Sequence, residues 1–180
     1  MYKTIKRYAL KYSLKKHLRV LPRHKYFFNF NNAKKIGILF AYQKEVNEAV
    51  YNLMDYFKSR GTQVNALCYY NEKEFPEDFV IRPLVNVFCK RDVNWYGRPL
   101  LDHVHEFIKM PFDILIDFDL DNVPVTNYIV TLSVAKMKVG RGSYPGNPYD
   151  FVLSTVDKID HHLFVEQLKH YMVTIDMKND

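Results

Sequence analysis

The sequence predicts an α/β domain built on a mostly parallel sheet and preceded by a basic helix. Two observations carry this: strand-length apolar runs alternate with stretches of helical periodicity, and the cations crowd ahead of the first apolar run. The 180 residues, 48% hydrophobic and 26% charged, suit one globular domain, and the 16% aromatic content argues against disorder. There is no internal repeat.

At the N-terminus Tyr2, Ile5, Tyr8, Ala9 and Tyr12 share one helical face, with Lys3, Lys6, Arg7 and Lys11 mostly off it. The stripe fades where Lys15, Lys16, Arg19 and Arg23 accumulate, and Pro22 marks an extended connector. Residues 1–34 therefore read as a basic helical arm and linker, and residues 35–180 as a single domain.

The first strand is Ile36–Phe40. A helix follows over Glu45–Lys58, with Val46, Ala49, Val50, Leu53, Met54 and Phe57 on its apolar face and Arg60-Gly61 as its stop. Val64–Tyr70 and Leu84–Cys89 are the next strands, Leu100–Lys109 a short helix, and Phe112–Phe118 a fourth strand. Pro124 suits the first turn of a helix capped by Asp121 or Asn122. A fifth strand, Met137–Gly140, leads into the Gly- and Pro-rich loop Arg141–Asp150. A short sixth, Phe151–Ser154, precedes a closing helix over Asp160–Asp176.

Parallel neighbours need crossover connections, and these are nearly always right-handed. The alternation thus points to a three-layer Rossmann-like sandwich with a sheet of about six strands in the order 3-2-1-4-5-6. In that order the crevice lies beyond the carboxyl ends of strands one and four, which sets Ala41–Lys44 opposite Asp117–Asn122.

The formal net charge is +6, yet eleven of the 26 Lys and Arg lie in residues 1–35, where there is no acid before Glu45. The remaining fifteen face 20 acids, so residues 36–180 carry a net −5. Cys68 and Cys89 sit in apolar runs and read as buried, reduced thiols, with neither a zinc spacing nor a disulfide framework. No apolar run reaches the ~18 residues of a membrane span and no secretory signal is recognisable, so the expected compartment is the cytoplasm.

The turn after the first strand, Phe40-Ala41-Tyr42-Gln43-Lys44, lacks the glycines that let a backbone approach a pyrophosphate, and it has no P-loop cradle. Asp117, Asp119 and Asp121 alternate, which would place three carboxylates on one side of an extended segment as a hard-cation site. Alternatively, Asp117 satisfies loop amides while Asp121 and Asn122 cap the next helix.

The loop Lys90–Pro99 holds the single Trp, and its aromatic and polar groups could orient a planar or sugar ligand. In the other reading Trp95 plugs the core edge while Asp92, Asn94 and Gly97 form a turn. His161 and His162 are adjacent on a helix, about 100° apart, and cannot share a metal. No nucleophile elbow or triad is present. Accordingly no catalytic residue, metal or cofactor is assigned.

The crevice candidates are Tyr42, Gln43, Lys90, Asp92, Trp95, Tyr96, Asp117, Asp119 and Asn122. Ile5, Tyr8 and Tyr12 are the candidate docking residues of the arm, for the body, a protein partner or a second copy. RNA phosphates and an anionic membrane surface are the alternatives. The leading functional reading is a binding or accessory protein; the competing one is a small enzyme acting on a nucleotide or sugar-like substrate in the crevice.

The chain also resembles an uncharacterised family of short proteins from Bacteroides-type bacteria. The basic start, Lys35-Ile36-Gly37-Ile38-Leu39-Phe40, Asn94-Trp95-Tyr96-Gly97-Arg98-Pro99, Phe112–Asp117 and Ala135–Arg141 carry that resemblance. More remotely, Phe112–Asp117 followed by a helix and Ala135–Gly140 is similar to the N-terminal half of heptosyltransferase-like glycosyltransferases. That likeness implies the Rossmann-like fold. Such enzymes bind their nucleotide-sugar donor mainly in a second half, before which this sequence ends.

Overall fold

A computed structural model of the chain describes residues 2–77, 79–120, 123–142, 144–153 and 160–175. Its elements are α1 (Tyr2–Leu18), β1 (Lys35–Ala41), α2 (Lys44–Ser59), β2 (Gln63–Tyr70), β3 (Val85–Cys89), α3 (Asp102–Lys109), β4 (Ile114–Asp117), α4 (Pro124–Leu132), β5 (Met137–Gly140), β6 (Phe151–Val152) and α5 (His161–Thr174). The six strands form one sheet, all parallel, ordered β3-β2-β1-β4-β5-β6. This is the architecture expected from the alternation of elements. Ser154, the expected end of the sixth strand, and Asp176, the expected end of the last helix, lie outside the described residues.

The central strand explains why its sequence is continuously apolar. Helices cover both faces of a parallel sheet, so each residue from Ile36 to Phe40 is buried whichever way it points. Ile36, Ile38 and Phe40 face the layer of α2 and α5, where Leu53, Phe57, Phe164 and Leu168 meet them. Leu39 faces the layer of α3 and α4, among Phe107, Tyr128 and Ile129. Gly37 lies on that second face because the Phe112 ring covers it: a Cβ there would stand 2.7 Å from two ring carbons. Cys68 and Cys89 are buried and free.

The helices begin and end where local chemistry allows. Pro124 opens α4, where its missing N–H costs nothing. Asp160 caps α5, its carboxylate accepting the amides of His162 and Leu163 at 2.9 Å each. Gly61, at φ +74, supplies the left-handed residue just beyond α2.

The N-terminal arm is docked on the body, through a different face from the tyrosine stripe. Leu10 and Leu14 pack on the α3 and α4 layer. Ser13 is buried beneath α1, 3.2 Å from the Tyr128 hydroxyl, and His17 Nδ1 lies 2.7 Å from the Ser13 carbonyl oxygen. Ile5, Tyr8 and Tyr12 remain 52%, 66% and 74% exposed. Both stripes have helical spacing, and tyrosine counted as apolar favoured the outer one; its hydroxyl, however, tolerates water.

The expected linker is likewise strapped to the body. Arg23 donates to the Ala135 and Lys136 carbonyl oxygens and grips the Asp150 carboxylate, while Phe30 is 1% exposed against Phe57. No helix among the described residues is long and apolar enough to cross a membrane.

Candidate functional site

The strand order reverses between β1 and β4, and a cavity of about 300 Å³ opens beyond their carboxyl ends. Its walls come from the β1–α2 turn (Ala41, Tyr42, Gln43) with Val46, from the end of β2 (Tyr69, Asn71), from the β4–α4 connection (Phe118, Asp119, Leu120, Val123) and from His161 at the start of α5. Parallel strands aim their loops at this edge, so residues distant in sequence converge here.

On the β1 side, Gln43 is the N-cap position of α2 and makes no side-chain cap bond, so the first-turn amides of this 16-residue helix have no side-chain partner there. On the β2 side, Asn71, which lines the cavity, accepts the Tyr69 hydroxyl at 3.1 Å through its side-chain oxygen. Tyr42 joins an aromatic cluster with Tyr70 and Phe79, at centroid distances of 5.3 and 4.8 Å.

The two carboxylates after β4 do different work from a paired metal site. The strand stops at Asp117, whose Oδ1 accepts the Asp119 amide at 3.0 Å and so turns the chain. Its Oδ2 accepts the Tyr149 hydroxyl at 2.9 Å. Tyr149 fits there because β5 ends in Gly140, the register partner of Asp117, and its ring occupies the space a Cβ would need. Burial, and then the charge of Asp119, push the Asp117 carboxyl up to about 7.

Asp119 does line the cavity. It accepts the Val123 amide at 2.7 Å and the Thr126 hydroxyl, so it holds the first turn of α4 in the role foreseen for Asp121 or Asn122. Both of those residues lie outside the described residues. No group of His, Cys, Asp and Glu among the described residues is arranged to hold a metal ion.

Of the sequence candidates, then, Tyr42, Gln43 and Asp119 line the cavity, Asp117 is not among its lining residues, and Asn122 lies outside the described residues. Lys90, Asp92, Trp95 and Tyr96 are not among its lining residues. Asp92 accepts the Cys89 amide at 2.8 Å, and Lys90 is exposed. Asn94 Oδ1 gathers the amides of Tyr96, Gly97 and Arg98 at 2.9–3.2 Å, a turn that needs Gly97 at φ +105. Gly97 lies under Leu10 of α1, and Trp95 is half exposed beside Tyr96. This loop follows an edge strand, far from the point where the order reverses, and it braces α1.

Sequence reasoning passed over two residues at this edge. His161 was set aside as half of a failed metal pair, and Arg141 as part of a loop. Arg141 directly follows β5 and is 2% exposed, among the largest fully buried side chains of the protein. Its Nη1 lies 2.6 Å from His161 Nδ1, its Nη2 donates to the Asp160 carbonyl oxygen at 3.1 Å, and the guanidinium lies 4.8 Å from the Phe164 ring centroid. Its Nε has no hydrogen-bond partner. A cation at the carboxyl end of a strand in an open parallel sheet was the available signal.

The model of a family of unknown function, DUF6913, matches residues 6–175, and the chain belongs to that family. The match takes in most of α1 along with the sheet. No curated protein and no solved structure matches.

Proposed function

We propose that this member of DUF6913 is a binding protein that takes a small polar molecule in the crevice at the reversal of its strand order. The carrying observation is the cavity itself, of a size for a compact ligand and lined by convergent polar groups from four separate connections. The carboxylates beside it support binding over catalysis, because Asp117 and Asp119 direct their oxygens at backbone amides and neighbouring hydroxyls. Among relevant ligand classes, sugars and nucleosides present the hydroxyls and ring faces that Gln43, Asn71 and Tyr42 can meet.

Thermal melting of the full chain against neutral sugars, nucleosides and their phosphorylated forms tests this reading. A ligand that raises the melting temperature of the wild type should have no effect on Gln43→Trp, in which an exposed side chain at the crevice mouth is replaced by one that fills it. A stabilising ligand equally effective on that variant would remove the crevice from the function.

The accessory limb of the proposal is α1. Its inner face is spent on the body, whereas Ile5, Tyr8 and Tyr12 stand outward among Arg7, Lys11, Lys15 and Lys16. A cationic surface with apolar rings suits an acidic protein partner, and residues 36–180 of a second copy carry the complementary net charge.

A further inference from the structure

Arg141 is a chemical anomaly that the fold does not explain. Its side chain is removed from water, and guanidinium cannot shed its proton at any ordinary pH, so the charge stays. Buried charges in proteins are paired. At the opposite edge of the sheet Arg23, also largely buried, grips the Asp150 carboxylate. Among the described residues no Asp or Glu forms an ion pair with Arg141. Its partners are a carbonyl oxygen, an aromatic face and an imidazole.

The imidazole is the informative one. Arginine can only donate, so His161 Nδ1 accepts, and the ring proton must sit on Nε2. Burial, followed by the Arg141 charge, holds His161 below the usual histidine range, consistent with a neutral ring. His161 therefore brings to the crevice wall a single N–H donor, polarised from behind by a fixed positive charge. The uncapped first turn of α2 adds the positive end of a helix dipole at the same opening.

Three acids lie close. Asp160 is occupied in capping α5, Asp119 in holding α4, and Glu45 is an exposed residue in the first turn of α2. Their negative charge opposes any anion at the donor end, and opposes a polyanion more than a single oxyanion because the repulsion scales with ligand charge.

We propose that the crevice binds a small hydroxylated molecule bearing a single oxyanion, a phosphate or a carboxylate, seated at His161 and backed by the buried charge of Arg141, which makes no ion pair among the described residues. The proposal rests on the crevice reading and names the chemistry of its ligand. His161 contacts the ligand; Arg141 is a positioning residue, acting through His161 and through its charge. The hydroxyls of the ligand fall toward Gln43 and Asn71 on the other walls.

The test uses the full chain, inorganic phosphate and acetate as probes, and chloride at equal ionic strength as control. It reads the His161 imidazole resonances and the melting temperature. Phosphate or acetate should shift the His161 signals saturably and raise the melting temperature above the chloride control. Whichever anion does so more strongly identifies the source as a phosphomonoester or a carboxylate. His161→Phe, which keeps a ring but removes the donor, should weaken that binding by about tenfold or more. Arg141→Met should still fold, because it deletes a buried charge that has no ion pair among the described residues, and should lose the anion response; if it does not fold, His161→Phe alone decides.

No saturable shift with either anion, or full binding in His161→Phe, overturns the oxyanion subsite. The crevice reading fails separately, by a neutral ligand that stabilises Gln43→Trp as much as the wild type. A phosphate response surviving in Gln43→Trp but abolished by His161→Phe supports the subsite and places it deeper than the mouth.

Discussion

The two edges of the sheet hold the same kinds of charged groups in opposite circumstances. At the amino edge, Asp113 beside the start of β4 accepts the amides of Lys34 and Lys35 and the Lys136 ammonium, and Asp150 before β6 is gripped by Arg23 and Lys25. At the carboxyl edge, Asp117 meets a phenol and an amide, and Arg141 meets an imidazole and a carbonyl. Among the described residues, the charges of the amino edge are matched and those of the carboxyl edge are not. Matched charges belong to stability, and unmatched ones are held in place by a scaffold stable enough to tolerate them. The crevice opens at the unmatched edge.

The largest contrast comes from making one substitution at both edges. Arg23→Met takes the buried guanidinium from the Asp150 carboxylate and leaves it the Lys138 amide and the more exposed Lys25 ammonium, and should cost about 3 to 5 kcal/mol in chemical denaturation. Arg141→Met removes a cation that has no ion pair among the described residues, and should stay within about 1 kcal/mol of the wild type. Equal losses at both positions would show that the two edges do not differ in the way described.

Titration sharpens the same contrast, because Asp113 and Asp117 respond to pH with opposite signs. At Asp113 burial pushes upward, but the Lys136 ammonium and the amides of Lys34 and Lys35 outweigh it and hold the carboxyl low. Its contribution is present above the unfolded value of 3.8 and disappears as the pH falls through the lower folded value. Asp117 is raised to about 7, so its contribution is full below 3.8 and is lost as the pH rises through 7.

Unfolding free energies of Asp117→Asn and the wild type between pH 4 and 8 should therefore diverge. The wild type should lose on the order of a few kcal/mol relative to the variant on the alkaline side. Taking the difference removes the groups common to both proteins, among them His105 and His161, which burial holds below the usual histidine range, and Lys138, which burial lowers to about 7. Parallel curves would mean that Asp117 is ionised in the fold throughout.

A smaller effect is expected at Asp119, which is at the carboxyl edge but has its bonds satisfied. Asp119→Ala leaves the Val123 amide without its acceptor and the Thr126 hydroxyl with the Val123 carbonyl oxygen alone, and should cost about 1 to 3 kcal/mol. Asp119→Asn, retaining one oxygen, should recover much of that. If Asp119→Ala unfolds like the wild type but weakens ligand binding, the residue serves the crevice more than the helix.

The strand order and the position of the crevice were legible because they follow from local pattern. Apolar runs, helical periodicity and the handedness of crossovers place Ala41–Lys44 opposite the end of β4 without any knowledge of side-chain contacts. The site itself was legible only where it is local to those two connections, as for Tyr42, Gln43 and Asp119. Arg141 and His161 are separated by a loop and a strand, and nothing in either neighbourhood announces their contact. The 90–99 loop carries two readings at once, a ligand-orienting loop and a turn built on Asn94 and Gly97, and the turn is present. Its composition is that of a binding loop, yet the same Asn94, Gly97 and aromatic residues build a turn that supports α1.

The arm offers the smallest effect on stability and the cleanest separation of the two faces of one helix. Deleting α1 would remove Leu10, Ser13 and Leu14 from the body together with the outer residues, and so would confound folding with docking. Replacing Ile5, Tyr8 and Tyr12 together by Ser touches only exposed side chains and should change the unfolding free energy by no more than about 0.5 kcal/mol. Sedimentation of the wild type at increasing concentration should show association that this triple variant lacks. Because the contact joins apolar rings with opposite charges, added salt should weaken the association only partly. Leu10→Ser, on the inner face, should do the reverse and lower stability by about 1 to 3 kcal/mol, as burying a hydroxyl among apolar neighbours and losing their packing require. A wild type that stays monomeric at all concentrations would leave the outer face without a second copy as its partner, and a triple variant that unfolds early would show that Ile5, Tyr8 and Tyr12 already pack on the body in solution.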